Sequence, residues 1–343
     1  MTGYILVAVS SFVLGMILVP LAMKAAAKFG VMDRPHTKLK KHKKPVPYLG
    51  GLAIYLAFAI PVIAYKIIMH QELYGVVGIL AGATLMMAVG LYDDMKNLNP
   101  YVKLAAQFAA ALIILKVNMH IKFMDNNILN YILTVLWVVG ITNAMNLIDI
   151  MDGLAGGVAA VACLAFFTVA LLSSRVNNIV PALALFGAVT AFLYFNKPPA
   201  KIYMGDAGSL FIGFMMAALA LNESYSRVNY IAVLSPLLIL GVPIFDTFLV
   251  MFIRIRKGIL PIYGSDDHLA QRLVMIGLSK PHATAFLVML TLVLSVLAVV
   301  STFMTIKDAL ILYLAVAVAA IMFAMLVMSV DMKDYHRVHH KRK

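Results

Sequence analysis

Residues 282–304 read HATAFLVMLTLVLSVLAVVSTFM, a stretch without any Asp, Glu, Lys or Arg. A helix needs about 20 predominantly apolar residues to cross the hydrocarbon core of a bilayer, so this stretch predicts a transmembrane helix. The rest of the chain has the same character, because 63% of its 343 residues are hydrophobic and only 13% are charged. Soluble domains carry about 25% charged residues. The composition therefore excludes a soluble enzyme, a disordered chain and a fibrous repeat, and it indicates an integral membrane protein.

Apolar runs recur along the whole chain and predict about eleven membrane spans. The runs cover residues 3–23, 48–66, 73–92, 101–116, 127–145, 153–173, 178–195, 208–221, 229–253, 282–304 and 308–330. Two of these runs are short, and short spans fit where the bilayer is thinned or lined by protein. No loop is long enough to fold by itself. We therefore expect an all-α, polytopic membrane protein in which residues 1–343 form one domain that ends in a basic tail, 331–343.

The distribution of positive charge predicts the orientation. Most of the 28 Lys and Arg residues lie in one set of alternate loops, which includes 24–47, 254–281 and the tail 331–343. The positive-inside rule places this set in the cytoplasm, so the N-terminus is expected outside and the C-terminus inside. The net charge of +13 then reflects cytoplasmic loops beside anionic lipid, and no nucleic-acid partner is expected. The single cysteine, Cys163, excludes an intrachain disulfide and a zinc site built on cysteines.

Polar residues cluster where apolar runs end, and the first cluster is the pair Asp93 and Asp94. A carboxylate at membrane depth costs about 2.5–3.5 kcal/mol, so such residues usually have a function. The pair predicts a general base or a metal site at the lipid–water boundary. The plainer interpretation is a helix that simply ends in charge.

The second cluster repeats a polar residue at every third position, in Asn143, Asn146, Asp149 and Asp152. Residues three apart are neighbours on a helix, and carboxylate and amide oxygens suit Mg²⁺. The glycines that follow, within 153–157, allow a backbone to approach a phosphate or a sugar. The alternative is a polar packing seam between helices.

The third cluster places Asp206 between Gly205 and Gly208, just before the run 208–221. An acidic residue at a helix start suits a contact between a metal ion and a phosphate. The alternative is an ordinary capped turn.

The fourth cluster lies in the loop 254–281, where His268 and Arg272 are four residues apart and can share a helix face. Arg and His can bind a pyrophosphate through charged hydrogen bonds, although basic residues here also serve topology. The basic opening segment, 33–51, could attract a nucleotide diphosphate. Contact with anionic headgroups is the plainer interpretation of that segment.

Taken in order, these motifs resemble the polyprenyl-phosphate N-acetylhexosamine-1-phosphate transferases, in the branch of bacterial undecaprenyl-phosphate GlcNAc-1-phosphate transferases. The matching motifs are Asp93-Asp94, Lys103 in YVKLAAQ, the segment 143–157, MGDAGS at 204–209 and the segment 268–273. The resemblance implies transfer of N-acetylhexosamine 1-phosphate, by default GlcNAc 1-phosphate, from a UDP-sugar to undecaprenyl phosphate. The reaction would release UMP at the cytoplasmic face of the inner membrane and start a lipid-linked cell-surface glycan.

The resemblance also implies Mg²⁺ as cofactor, with Mn²⁺ as a substitute, and Asp206 and Asn146 as the metal ligands. It implies that Asp93 or Asp94 handles the lipid phosphate and that Lys103 holds it. The expected catalytic residues are Asp93, Asp94, Asp149 and Asp152, and the expected substrate-binding residues are Lys103, Asn143, Asn196, His268 and Arg272. Within these sets, the nucleotide would face Asp149, Asp152 and Asn196, and the diphosphate or sugar would contact His268 and Arg272. A homodimer is one option for the assembly.

Two departures from the family pattern bear on the donor. Ile150 stands where the family commonly has a glycine, and Ala270 and Gln271 stand where it often has histidines. The Arg that ends this motif resembles the branch that uses a simple UDP-N-acetylhexosamine. Transfer of the muramoyl-pentapeptide phosphate is therefore not expected.

The competing interpretation is an ion-coupled membrane transporter, since carriers also contain carboxylates and glycine-broken helices in the membrane. Two features of the sequence oppose it: there is no detectable internal repeat, and the polar motifs concentrate at one face. A lipid phosphatase or a structural partner of a glycan machine is a further alternative, but it leaves the acidic clusters without a nucleotide to bind.

Overall fold

The computed structural model describes residues 2–33, 45–70, 74–122, 124–173, 176–221, 230–258, 267–330 and 332. Within these ranges the chain is helical apart from short connections and one antiparallel pair of two-residue strands, β1 (Met32–Asp33) and β2 (Val46–Pro47). The helices are α1 (Thr2–Phe29), α2 (Gly50–Ile68), α3 (Tyr74–Lys96), α4 (Pro100–Lys116), α5 (Asn127–Ile148), α6 (Leu154–Leu172), α7 (Val176–Asn196), α8 (Gly205–Leu221), α9 (Ser235–Ile239), α10 (Gly241–Arg256), α11 (Leu269–Ile276), α12 (Lys280–Ser301) and α13 (Ile306–Met328). A 3-10 helix, Tyr230–Leu234, precedes α9. The prediction of an all-α polytopic protein is confirmed.

The predicted apolar runs coincide with helices, but fewer than eleven of the described helices are long and apolar enough to span a membrane. Eight helices in the described ranges are long and apolar enough, or nine if Ile231–Ile239 and Gly241–Arg256, which are bent by 74°, form one span. The two remaining runs form α4 and α8, with 17 residues each. A helix of 17 residues is about 25 Å long, so it crosses only a thin part of the bilayer. The count of eleven and the orientation stay predictions.

The chain divides into two compact units, Met1–Ser224 and Tyr225–Lys343. The first unit contains α1 to α8, and the second contains α9 to α13. The expectation of one functional domain over 1–343 stays a prediction. The predictions for the basic opening segment and the C-terminal tail concern residues that lie mostly outside the described ranges, at 34–44 and beyond 330.

Helix α8 forms the interior of the first unit. It packs against α2, α3, α5 and α6, and all of its residues except Asp206 and Leu221 are buried. A helix that is apolar on every side is buried in protein or in lipid, and the buried side chains of α8 show that other helices enclose it. Its first turn, which contains Asp206, is therefore held from several directions.

The start of α2 lies directly against the chain that leads into α8. The N–H of Gly50 donates to the carbonyl of Tyr203 at 3.1 Å, and the N–H of Gly51 donates to the carbonyl of Met204 at 2.9 Å. A Cβ atom on Gly51 would overlap the backbone of Gly208. The absence of a side chain at Gly51 thus allows two backbones to meet beside the first turn of α8.

We expect Gly51→Ala to lower the thermal unfolding midpoint of the detergent-purified protein, because the new methyl group meets backbone that cannot rotate away. Overpacking of this kind typically costs about 1–3 kcal/mol. Gly140→Ala in α5 is the matched control, since no heavy atom of the described residues lies within 4 Å of its added Cβ. The control should keep or raise the midpoint, because Ala favours a helix more than Gly does. Equal midpoints for the two variants would contradict this packing.

The second unit contains the short helix α11, which follows His268. Helix α11 contacts α10, α12 and α13, and it begins directly after His268, whose backbone N–H donates to the side chain of Gln271 at 3.3 Å. His268 is the residue directly before α11 and Arg272 lies within the helix, so a shared helix face stays a prediction. Both side chains are buried within this unit.

Candidate active site

Side chains from four helices meet around Asp206 in the first turn of α8. The ammonium nitrogen of Lys103 lies 2.8 Å from Asp206 Oδ2 and 3.0 Å from Asp93 Oδ2. The Asn146 amide donates to Asp206 Oδ1 at 3.0 Å and to the Ser209 hydroxyl at 2.8 Å. Three of the predicted motifs and Lys103 therefore form one polar centre, although they are far apart in the sequence.

The turn between α3 and α4 places Lys103 beside Asp93. The Asn99 side chain caps α4 by accepting from the N–H of Tyr101 at 3.0 Å, a common role for Asn at a helix start. The second oxygen of Asp93 accepts from the N–H of Leu98 within the same turn. Asp93 thus fixes the turn with one oxygen and binds the ammonium of Lys103 with the other.

Asn143 joins two helices of the centre, and its predicted contact with substrate stays a prediction. Its amide exchanges hydrogen bonds with the amide of Gln107, at 2.6 and 3.2 Å. Gln107 is buried one helical turn after Lys103. This reciprocal pair fixes α4, which carries Lys103, against α5, which carries Asn146. The sequence analysis assigned no role to Gln107. The feature that could have identified it is an amide side chain four residues after Lys103, on the same side of the helix.

Asp94 makes different contacts from its neighbour Asp93. Its Oδ1 accepts from the N–H of Asp206 at 2.8 Å, and its Oδ2 accepts from the N–H of Ala207 at 3.1 Å. The carboxylate thus faces the start of α8. Asp94 therefore contacts the centre only through backbone N–H groups of α8 among the described hydrogen bonds.

Asp152 and Asn196, predicted to face a nucleotide, tie the turn between α5 and α6 to the segment that follows α7. Asn196 accepts from the N–H of Gly153 at 2.9 Å and donates to the carbonyl of Ile202 at 2.8 Å. Asp152 accepts from the N–H of Ala200 at 2.9 Å. These bonds position the turn that contains Asp149, and a direct contact with substrate stays a prediction for both residues.

Asp149 lies in the turn between α5 and α6, and burial alters its ionisation. Burial raises its pKa to about 7, and the negative charges of Asp206 and Asp152 add to the effect. No hydrogen bond to its carboxylate is present among the described residues. A carboxyl group with a pKa near 7 can accept or release a proton at neutral pH, which is a property of general acids and bases.

His268 has a well-defined partner in the second unit. Its Nδ1 lies 2.8 Å from Asp246 Oδ2, and the other oxygen of Asp246 accepts from the N–H of Leu269 at 2.6 Å. The carboxylate therefore orients the imidazole ring, a contact that usually fixes the tautomer. Asp246 had no predicted role, and nothing in its local sequence connects it to a histidine 22 residues later.

Arg272 makes four hydrogen bonds inside the same unit. It donates to the carbonyl and the carboxylate of Asp267, at 3.1 and 2.8 Å, and to the carbonyls of Val327 and Val330, at 2.9 and 3.3 Å. These carbonyls belong to the end of α13, where the last C=O groups lack partners in the helix. Arg272 thus joins α11 to α13. Its predicted contact with a diphosphate stays a prediction.

The chemistry of the Asp206 centre fits a magnesium ion. The described residues contain no group of three or more His, Cys, Asp or Glu that could hold a metal by themselves. However, the carboxylates of Asp93 and Asp206 already converge on one cation, the ammonium of Lys103, and the Asn146 amide lies beside them. Mg²⁺ binds through one or two carboxylates and completes its shell with water and phosphate oxygens. Asp93, Asp206 and Asn146 are therefore the residues of this centre that could hold such an ion.

In this helical membrane protein, aspartates, an asparagine and a lysine converge at helix ends. This arrangement is typical of a membrane-embedded phosphotransferase. Residues 76–223, which include the whole Asp206 centre and end before His268, match glycosyl transferase family 4. The chain belongs to this family, and the resemblance inferred from its motifs is confirmed.

Named relatives agree with this assignment. The chain is 33% identical to a probable undecaprenyl-phosphate N-acetylglucosaminyl 1-phosphate transferase of Bacillus subtilis, over 83% of this chain and 81% of that protein. It is 29% identical to a decaprenyl-phosphate N-acetylglucosaminephosphotransferase of Mycolicibacterium smegmatis, over 75% and 72% of the two chains. It is 25% identical to an undecaprenyl-phosphate alpha-N-acetylglucosaminyl 1-phosphate transferase of Escherichia coli strain K12, over 81% and 77%.

We expect the stability of the protein to fall as Asp149 ionises. Its pKa of about 7 in the folded state lies above the ordinary value of about 3.9, so ionisation favours the unfolded state. The stabilising effect of the protonated form is complete below about pH 4 and is lost as the pH rises through 7. Thermal unfolding midpoints, measured with a chelator from about pH 5 to pH 8, should therefore fall in the wild type and fall less in Asp149→Asn. Asp125→Asn, at an exposed position, should follow the wild type, and parallel curves for all three proteins would contradict the assignment.

Proposed function

We propose that this protein transfers GlcNAc 1-phosphate from UDP-GlcNAc to undecaprenyl phosphate and releases UMP. The reaction takes place at the cytoplasmic face of the inner membrane and starts a lipid-linked cell-surface glycan. The observation that carries the proposal is the convergence of Asp93, Lys103, Asn146 and Asp206 from four helices at one helix start. Membership of glycosyl transferase family 4 and the names of the relatives support it.

The chemistry is the exchange of one phosphorus–oxygen bond for another. An oxygen of undecaprenyl phosphate attacks the phosphorus that bears the sugar, the bond to the bridging oxygen breaks, and UMP leaves with that oxygen. Catalysis of phosphoryl transfer consists mainly of positioning and of stabilising charge. A single direct attack satisfies this scheme, and a two-step route through an aspartyl phosphate remains the alternative.

Mg²⁺ is the proposed cofactor, with Mn²⁺ as a substitute, and Asp206 and Asn146 are its proposed ligands with Asp93 close enough to share it. When bound, the ion would offset the negative charge of the donor diphosphate as the bridging bond breaks. Asn146 would bind the ion through its amide oxygen. A flip of the amide group would place this oxygen where the nitrogen now faces Asp206.

Lys103 is the proposed binding group for the phosphate of the acceptor. Its ammonium already bridges two carboxylates, and 23% of its side chain and 27% of that of Asp206 remain exposed. The centre is thus partly buried and partly exposed. A phosphate that enters would take the ammonium as its counter-ion, and Asp149 would exchange a proton with it.

The other predicted residues have supporting parts in this proposal. Asn143, Asp152 and Asn196 hold the loops around the centre, while His268, oriented by Asp246, is kept as a contact for the donor. Arg272 primarily joins α11 to α13. We propose a homodimer as the assembly.

We expect purified protein in nanodiscs to convert labelled UDP-GlcNAc, undecaprenyl phosphate and Mg²⁺ into a labelled lipid diphosphate and UMP in equal amounts. UDP-muramoyl-pentapeptide should not replace the donor, because Ala270 and Gln271 stand where the family often has histidines. Detection of both products by thin-layer chromatography is the measurement. The proposal fails if no labelled lipid forms, or if the muramoyl donor is used as efficiently.

We expect Asp206→Asn to lower turnover by about 10²-fold or more, the scale for loss of one key electrostatic contact. Raised Mg²⁺ should restore part of this loss, and Mn²⁺ titrations followed by electron paramagnetic resonance should show weaker binding. Lys103→Met is the contrasting variant, since it should raise KM for undecaprenyl phosphate without rescue by the ion. Near-normal turnover of Asp206→Asn at low Mg²⁺ would move the proposed metal site elsewhere.

A further inference from the structure

The first turn of α8 lacks the cap that its own sequence would normally supply. The first N–H groups of a helix have no acceptor within the helix, and a polar side chain just before the helix usually satisfies one of them. The residue before α8 is Met204, whose side chain has no oxygen. Its carbonyl accepts from the N–H of Gly208 at 3.2 Å, which leaves the N–H groups of Asp206 and Ala207 to be satisfied from outside.

Asp94 supplies both missing acceptors. One carboxylate oxygen accepts from Asp206, 112 residues later in the chain, and the other accepts from Ala207. These two oxygens also lie at the positive end of the helix dipole. Asp94 therefore acts as a cap that comes from a different helix.

Two glycines make this contact between α3 and α8 possible. A Cβ atom on Gly205, whose φ is +65°, would overlap the Asp94 carboxylate. A Cβ atom on Gly90, one turn before Asp94, would overlap the backbone of Asp206 and Ala207. The absence of both side chains lets the end of α3 lie directly against the start of α8. The cap is thus part of a closely packed helix crossing.

The two aspartates of the pair face different targets because neighbouring residues on a helix point about 100° apart. Asp93 binds the ammonium of Lys103, which also binds the Asp206 side chain. Asp94 binds the backbone of Asp206 and Ala207. One aspartate therefore belongs to the polar centre itself, and the other holds the residue on which that centre is built.

We propose that Asp94 is a positioning residue, which fixes the first turn of α8 so that the Asp206 carboxylate stays aimed at Lys103 and Asn146, and that it does not contact the acceptor phosphate. Both of its oxygens accept backbone N–H groups, so its observed contacts are to the start of α8. The role of Asp206 in the reaction rests on the proposed function. The capping role of Asp94 rests only on the contacts described above.

Hydrogen exchange of the substrate-free protein in nanodiscs, read by mass spectrometry, tests the cap directly. In Asp94→Ala, peptides that contain residues 205–208 should exchange about tenfold faster than in the wild type, the change that corresponds to one lost cap. Asp94→Asn keeps one acceptor in the same shape and should show a smaller increase. Asp93→Asn is the matched control and should speed exchange around Leu98, which its carboxylate binds, but not at 205–208.

Kinetics separate positioning from substrate contact. Asp94→Asn should lower kcat by about tenfold and weaken Mn²⁺ binding, yet change KM for undecaprenyl phosphate by less than about threefold, because an acceptor contact would move KM. Unchanged exchange at 205–208 in Asp94→Ala would overturn the proposal, and so would a KM raised tenfold or more in Asp94→Asn. If the wild type forms no lipid product, the proposed function fails while the exchange data still decide the role of Asp94.

Discussion

The ammonium of Lys103, shared between the carboxylates of Asp93 and Asp206, is the interaction on which the rest of this structure depends. In a chain that is 63% hydrophobic, unpaired charge is costly at membrane depth, so charged groups must meet partners or remain near water. The shared ion pair satisfies three charges at once and requires the end of α3, the start of α4 and the start of α8 to lie at one point. Asn146 at the end of α5 adds a fourth helix to this point.

The features around this centre share one purpose, which is to keep helix ends close and their backbone groups satisfied. Gly51, Gly90 and Gly205 have no side chains where backbones meet. The Asn143–Gln107 amide pair fixes α4 against α5, and Asn196 holds the turn before α6. Buried polar groups of this kind are stable only when each has a partner, and their mutual satisfaction gives the centre a single arrangement. Such preorganisation is the main contribution that a protein can make to phosphoryl transfer.

In the second unit, polar side chains also satisfy backbone groups at helix ends. Arg272 satisfies carbonyl groups at the end of α13, and Asp267 holds the guanidinium between itself and that helix. Asp246 fixes the ring of His268 and the first N–H of α11. A motif that resembles a ligand-binding motif in the sequence thus also carries structural hydrogen bonds.

The sequence by itself determined the class of fold and the residues of the centre. Hydrophobic run length predicted the position of every long helix, because the bilayer sets that length, and polar residues at the run ends identified Asp93, Asn146 and Asp206. Run length could not show that α8 is enclosed by other helices, since protein interior and lipid favour the same apolar side chains. Only the tertiary structure decided which partner each polar group has. Asp93 binds Lys103, Asp94 binds the start of α8, and Arg272 binds the end of α13. Those partners come from helices distant in the chain, and a local pattern carries no information on which helix ends will meet.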